Sequence, residues 1–457
     1  MDHSRDIFSS RRAAIFAMAG SAIGLGNIWR FPYMVGEHGG AAFILVYLFA
    51  TVFLSLPIFL SESIIGRRTH LGPYGAMAKL APGTPWKHVG LLTICSAMII
   101  ISFYSVVGGW SVDYLFKAIR LEFLPERSEQ VSSMFGSMIS NTWLPILCHT
   151  AFLGLTAIIV VLGVRKGIER FSKISMPVLF ALIVAIMCYS LSLPGASEGV
   201  AYLVKPDFSR LDASAVASAM GQSFFSLSLG VGTILTYSSH IRKSENLITS
   251  GLGTSLFDLL FAILAGFAVM PAVFAAGIEP GAGPGLIFET LPYIFSSMGA
   301  QMPVLSSVIA ILFFLTILIA ALTSSISILE TGVTFLVEEK GLSRRTAVII
   351  LFGFTWALGC LCSLSFGPLS GVKLFGKTIF EFCDSLTSNF LMTLGGLLFT
   401  LFVGWKMSRA DVRDELTSGG LYPANGKIFK FTYFLIRYVA PVVIGVVFLS
   451  NWLQAGK

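Results

Sequence analysis

Eleven runs of predominantly apolar residues follow one another along this chain, and each is long enough to cross a bilayer as a helix of roughly 20 residues. They lie near 11–35, 41–66, 88–120, 142–164, 168–193, 213–240, 248–277, 299–337, 345–365, 376–405 and 430–454. A segment in lipid must satisfy its own backbone, so the expected class is an all-α polytopic membrane protein with about eleven transmembrane helices. Composition agrees: 55% of residues are apolar, 12% are charged, and the mean hydropathy is +0.82. In a soluble protein the net charge of +7 would hint at nucleic acid. Here the basic residues lie in loops and orient the chain, so no nucleic-acid partner is expected. With spans numbered from the N-terminus, roughly 21 loop Lys and Arg lie on the N-terminal side and roughly 8 on the other. The positive-inside rule then sets the N-terminus in the cytoplasm and, for an odd count, the C-terminus outside the plasma (inner) membrane. The polar N-terminus has no signal-cleavage pattern, so the first span is expected to persist. The six cysteines (Cys95, Cys148, Cys188, Cys360, Cys362, Cys383) read as small buried hydrophobes, without metal-ligand spacing.

Two spans are interrupted. The first contains Gly20-Ser-Ala-Ile-Gly-Leu-Gly-Asn-Ile-Trp-Arg-Phe-Pro32, with three glycines, Asn27 and Arg30 inside an apolar helix. Gly20 and Gly24 alone would fit a helix-packing face. Asn27 and Arg30 do not, because polar groups in hydrocarbon mark ion or substrate paths. The sixth span contains Gln222-Ser-Phe-Phe-Ser226-Leu-Ser228-Leu-Gly230-Val-Gly232. The breaks open what would be two matching five-span halves, 1–195 and 213–410, with 428–457 as an extra eleventh span, all within one domain (1–457). Paired discontinuous helices in corresponding places point to a transporter's substrate site. Half-helix N-termini offer amides to a carboxylate, and unwound carbonyls suit a cation. Such a site suits a zwitterion together with Na⁺.

Thr323-Ser324-Ser325 in the eighth span adds hydroxyls, which either glue helices or share a hard cation with the first break. Two connections stand out. Residues 121–141 read as a polar external loop with no evident chemistry, and 278–297, rich in Gly-Pro steps, reads as either a lid or a linker.

The segments Gly20–Pro32, Gly221-Gln222…Gly232 and Thr323-Ser324-Ser325 together resemble the neurotransmitter:sodium symporter family, in its bacterial LeuT-like branch. Gly167-Ile-Glu-Arg-Phe and Tyr237-Ser-Ser-His-Ile-Arg-Lys extend the resemblance, which runs from Arg5 to about Lys430. It implies a LeuT-like 5+5 inverted repeat and two Na⁺ sites. One sodium would take the backbone oxygens of Gly20, Ile23 and Ala320 with the hydroxyls of Thr323 and Ser324. The other would take the Ala22 oxygen, the Asn27 amide, Ser226, Asp258 and the substrate carboxylate. That carboxylate would also meet the amides of Leu25 and Gly26 and the hydroxyl of Tyr104. The pocket wall implied is Ser21, Ile100, Tyr104, Phe225, Ser228, Val231, Ser324 and Ile328. Arg30 would pair with Asp384 through water at the outer gate, with Phe225 as a lid over the substrate. At the inner gate Arg5 would pair with Glu338 or its neighbour Glu339. Gly167 and Pro177 would let the fifth span unwind, since proline removes one helical hydrogen bond. His240, where the family commonly has Tyr, is given no role.

The resemblance departs at one point that bears on the ions. Asp258 stands where relatives have Asn, and Ala262 where bacterial relatives are often acidic. Asp258 is therefore expected to supply covalently the negative charge for which animal relatives use chloride, so no chloride is expected. Proton counter-transport through Asp258 is a weaker expectation. No wall residue offers charge to a substrate side chain, and Val231 leaves room, so neutral hydrophobic or aromatic L-amino acids are expected. A channel is the nearest rival but lacks a filter-like ring, and a non-transporting sensor would share the binding residues. No zinc or nucleophile-elbow motif suggests an enzyme, and His149 inside the fourth span reads as a packed polar residue. No obligate protein partner is evident beyond the amino acid and the lipid bilayer.

Overall fold

The computed structural model describes residues 7–123, 128–278, 287–298, 303–422 and 426–455. Among these, nine helices have the length and composition to cross a bilayer unbroken: Ala41–Thr69, Lys87–Ile119, Leu144–Val161, Val164–Leu191, Leu247–Ala275, Val304–Lys340, Arg344–Leu364, Ile379–Lys406 and Gly426–Leu449. They are the second to fifth and seventh to eleventh spans expected from the sequence. The first and sixth are broken. Helix Arg11–Ala22 ends at Ile23 and Gly24, and the chain resumes as a wide π-turn, Gly26–Arg30, leading into Phe31–Glu37. Helix Ala213–Ser226 gives way to non-helical 227–232 before Thr233–Ser238.

The break in the sixth span follows from its residues. Gly230 and Gly232 have φ of 76° and 78°, where an L side chain is disfavoured, and Ser228 is held at 53°. The amides so freed are taken by the Glu62 carboxylate of the second span, which accepts from Gly230 N at 2.7 Å and Leu235 N at 3.3 Å. In the first span Leu25 N donates to the Tyr104 hydroxyl (3.3 Å), and Gly24 N to the Asn27 side-chain oxygen (3.0 Å). Unwound backbone is tolerated at this depth because other spans satisfy it.

The third and eighth spans pack against each other at the centre. In the third, 78% of the most apolar window is buried within the protein, against 33% in the fourth and fifth, which leaves those two a broad face for lipid. The two notable connections are more structured than expected. Within 121–141 the chain forms helix Ser128–Ser140, whose Phe135 stands edge-on to Trp110 at 5.2 Å and stacks on Phe288, so reading that stretch as a loop is corrected: its apolar residues pack chiefly against helix Thr290–Met298. Within 278–297 the described part carries helix Thr290–Met298 and sets Phe288 against Trp29, Trp110 and Tyr114, on the side opposite the N-terminus. Residues 279–286 of that connection lie outside the described residues.

On the N-terminal side, Arg67 at the end of the second span is buried and bonded to Glu415 of helix Arg409–Leu416 (2.8 Å). Arg68 reaches Asp411 and Asp414, and Lys243 reaches Asp414 and Glu415, so the second span, the loop after the sixth and the loop after the tenth are tied together.

Candidate functional site

The two breaks face each other at the middle of the bundle. Asn27 Nδ2 donates to Asp258 Oδ1 at 2.7 Å and lies 3.0 Å from Ser226 Oγ. Ser226 Oγ lies 2.8 Å and 2.9 Å from the two Asp258 oxygens. All three residues are shielded from solvent. A buried carboxylate with a hydroxyl oxygen beside it, and no Lys or Arg among its bonded partners in the described residues, is a hard-cation environment; the Asn27 side-chain oxygen is turned to Gly24 N (3.0 Å). The Tyr47 hydroxyl, from the second span, adds a bond to Asp258 Oδ2 at 3.3 Å. Sequence reading missed Tyr47, because a tyrosine in an apolar span reads as packing.

About the first break a second group of oxygens gathers. Thr323 Oγ1 donates to Ala320 O (2.8 Å) and Ile23 O (3.3 Å), and Ser324 Oγ to Ser21 O (3.1 Å) and Ile23 O (3.3 Å). Gly20 lies against Thr323, and Met176 next to Pro177 closes the same point from the fifth span. Ser325, on the opposite side of that helix, meets Thr156 of the fourth span at 2.8 Å, so the three adjacent hydroxyls divide between the site and helix packing. Pro177 sits inside helix Arg170–Leu191, and Gly167 inside the π-turn Val164–Glu169, where a Cβ would come 2.1 Å from Ile159 O.

Between the oxygen groups lies a small cavity. Its wall holds Ala22, Leu25, Gly26, Ile100, Tyr104, Phe225, Ser226, Ser228, Val231, Ser324 and Ile328. Gly24 and Met392 complete it and were not foreseen. Ser21 does not line it: its hydroxyl donates to Ser327 at 2.7 Å, and its carbonyl serves Ser228 and Ser324. The cavity volume is only ≈30 Å³, room for about two waters, so a larger guest requires the walls to part.

Phe225 separates this cavity from a vestibule of ≈400 Å³ on the side opposite the N-terminus. Arg30 and Asp384 both line the vestibule, with Glu289 and Glu381. Among the described residues no ion pair joins Arg30 to Asp384. The Arg30 guanidinium instead lies over the Phe225 ring, 4.8 Å from its centre, and Asp384 accepts from Ser388 (2.9 Å). Gln222 of the sixth span donates to Gly26 O at 3.0 Å, holding the two broken helices together.

Among the described residues the N-terminal side is closed by contacts between spans. Ser9 is bonded to Glu169, Phe8 N donates to His240 O at 3.1 Å, and Glu338 accepts from Gly72 N at 2.7 Å. Arg5 lies outside the described residues. His149 is buried, its Nε2 3.4 Å from Trp356 O, in helix packing away from the cavity. Glu62 was missed although its signal was present: a carboxylate flanked by two serines within an apolar span.

Comparison with known proteins explains this arrangement. A profile of the sodium:neurotransmitter symporter family matches residues 5–131 and 122–456. The chain belongs to that family. It is 38% identical to the sodium-dependent transporter YhdH of Bacillus subtilis, over 97% of each chain. Identity to the sodium-dependent serotonin transporter of Drosophila melanogaster is 27%, over 98% of this chain and 77% of that one. The crystal structure of MhsT in complex with L-phenylalanine is 40% identical and superposes with a TM-score of 0.89, covering 98% of this chain and 100% of that one. The fold is the LeuT-like one expected, all-α with broken first and sixth helices. As a member of the sodium:neurotransmitter symporter family the protein is a multi-pass, sodium-dependent symporter; its family is one of transporters.

Proposed function

We propose that this symporter imports neutral hydrophobic or aromatic L-amino acids together with sodium, by alternating access and without chloride. One observation carries the reading: among the described residues none that lines the central cavity bears an acidic or basic side chain, while Tyr104 OH and the backbone about Leu25 and Gly26 border its polar end. A charged substrate side chain would be desolvated there unpaired, which costs several kcal/mol. Apolar Ile100, Val231, Ile328 and Met392 favour an apolar one. That MhsT was solved with L-phenylalanine fits this size class.

Sodium would bind at two places: one among Gly20, Ile23, Ala320, Thr323 and Ser324, the other among Ala22, Asn27, Ser226 and Asp258 with the substrate carboxylate. Because that carboxylate is itself a sodium ligand, each strengthens the other's binding reciprocally. Asp258 would supply the fixed negative charge that makes chloride dispensable. Substrate would enter through the vestibule past Phe225, with Arg30 and Asp384 closing over it. Release would follow opening of the N-terminal side, as Gly167 and Pro177 let the fifth span unwind and Arg5 parts from Glu338. The two five-span halves would rock about the site, with the N-terminus and the closed side in the cytoplasm.

The deciding experiment is uptake of labelled amino acids into proteoliposomes with and without an inward sodium gradient. Sodium-dependent accumulation of Leu, Phe or Tyr, unchanged when gluconate replaces chloride, is expected. Lys or Glu proving the best competitors would overturn the substrate class, and a large loss of rate in gluconate would overturn chloride independence.

A further inference from the structure

After the tenth span the chain runs through helix Arg409–Leu416 and enters the eleventh at Gly426–Phe434. Between these two helices lies a cavity of ≈710 Å³, which shares no lining residue with the substrate cavity or the vestibule. Arg409, Arg413 and Lys430 line it, against the ring of Phe429. The carboxylate in its wall, Asp414, is engaged by Lys243 at 2.6 Å and Arg68 at 3.3 Å. Among the described residues Arg413 and Lys430 form no ion pair with a carboxylate. Arg409 lies 5.7 Å from the ring centres of Phe429 and Tyr433, a contact that leaves its charge uncompensated. Three cations around one cavity focus a positive potential that attracts an anion.

What kind of anion follows from the neighbouring side chains. Trp405, Ile428, Phe431 and Phe434 on the same two spans are each more than half or about half exposed, as residues facing hydrocarbon and its boundary are. The cavity therefore opens beside the point where the acyl region begins. It also lies on the side of the bilayer that carries most of the loop Lys and Arg, the side proposed above to be cytoplasmic. A soluble anion needs only the cations. A lipid uses both the cations and the exposed apolar strip, and basic pockets at helix ends on this side suit phospholipid headgroups.

We propose that this cavity binds the phosphate headgroup of an anionic phospholipid, with Arg413 and Lys430 as its principal charged contacts and the acyl chains along Phe431 and Phe434. A bound lipid would bridge the tenth-to-eleventh connection and the eleventh span. Through Glu415 and Arg67 that connection is tied to the second span, whose Glu62 holds the broken sixth helix.

Native mass spectrometry of the detergent-purified protein, loaded with phosphatidylglycerol or phosphatidylcholine, tests the assignment. One phosphatidylglycerol is expected to survive activation that strips phosphatidylcholine, and Arg413→Gln/Lys430→Gln is expected to lower its occupancy about tenfold or more. Arg413→Lys/Lys430→Arg, which keeps the charge, is expected to retain it and so separates loss of binding from loss of fold. Arg165→Gln/Lys166→Gln, which neutralises another exposed basic pair on the same side, is expected to leave it unchanged. Equal loss in both neutralised pairs would mean diffuse attraction, and equal retention of phosphatidylcholine would mean no anion selectivity; either overturns the proposal. Displacement of the lipid by excess inorganic phosphate, leaving a phosphate adduct, would overturn it in favour of a soluble anion.

Discussion

The Asn27 side-chain amide and the Asp258 carboxylate meet at 2.7 Å across the break in the first span, sealed from solvent and joined by Ser226. Among the described residues no Lys or Arg is bonded to that carboxylate, so a cation supplied from solution is its natural complement.

Asp258→Asn keeps the shape of this group and removes its charge. Losing one full charge a few ångströms from a bound cation is expected to weaken sodium activation of uptake by roughly tenfold or more. If Asp258 is also what makes chloride dispensable, the variant's residual uptake should rise when chloride replaces gluconate, while the wild-type rate stays level. Sodium titrations of uptake in the two anions measure both effects. Equal sodium affinity in variant and wild type would exclude Asp258 from the ion site.

Gly24 touches the cavity with its backbone alone. A Cβ there would stand 2.4 Å from Ser324 Oγ and 2.9 Å from Tyr104 OH, both closer than van der Waals contact allows, at the place proposed above for the sodium and carboxylate ligands. Gly24→Ala is expected to reduce sodium-dependent amino-acid binding about a hundredfold or more. Gly253→Ala, whose Cβ would meet nothing nearer than 3.4 Å in the seventh span, is the matched control and should bind as wild type. Equilibrium binding by scintillation proximity distinguishes them.

Much of this site was legible in the sequence, and the reason is physical. Glycines, an amide and hydroxyls within apolar runs cannot be hidden in hydrocarbon, so the breaks at Gly20–Pro32 and Gln222–Gly232 announced themselves. The division of labour among Asn27, Ser226, Thr323 and Ser324 came from resemblance to a family, and the structure sets Asn27 beside Ser226 and Thr323 and Ser324 about the Ile23 carbonyl. What escaped notice depends on tertiary approach. Tyr47 and Met392 look like packing residues until another span brings them to the site, and Ser21 lies in the right segment but turns its hydroxyl to Ser327. The helix Ser128–Ser140 was hidden by a polar composition that nonetheless supplies Val131, Phe135 and Met138 to the interior.

Val231, buried in the cavity wall, sets the room left for a substrate side chain. Val231→Phe adds a ring to a cavity that already must expand, and overpacking falls hardest on the largest guest. Inhibition by Phe, Tyr and Trp is expected to weaken about tenfold or more, with Ala retained within about threefold. A competition panel against labelled Leu gives the answer. If all amino acids lost affinity equally, Val231 would be acting on the scaffold and not on selectivity.

The last expectation concerns the closed side and separates a buried ion pair from exposed ones on the same short helix. Arg67 and Glu415 are 0% and 1% exposed, and Arg67 also donates to the Glu415 backbone and to Ser418. Glu415→Ala strands a buried guanidinium, which costs about 3–5 kcal/mol. Asp411, 41% exposed beside Arg68, is screened by water, and Asp411→Ala should cost about 1 kcal/mol or less. Thermal unfolding in detergent should therefore show a much lower midpoint for the first variant and a nearly unchanged one for the second. Between them stands Asp414, whose carboxyl is held below its usual range chiefly by the hydrogen bond from Lys243. A depressed value in the folded state gives stability that is complete above the ordinary carboxylate range and lost as pH falls through the lower, folded value. At 44% exposure that contribution is small. Acidification should accordingly leave the wild type and Asp414→Asn close in midpoint, while Glu415→Ala stays low at every pH. A Glu415→Ala midpoint equal to wild type would show that the second span and the tenth-to-eleventh connection are not coupled through Arg67.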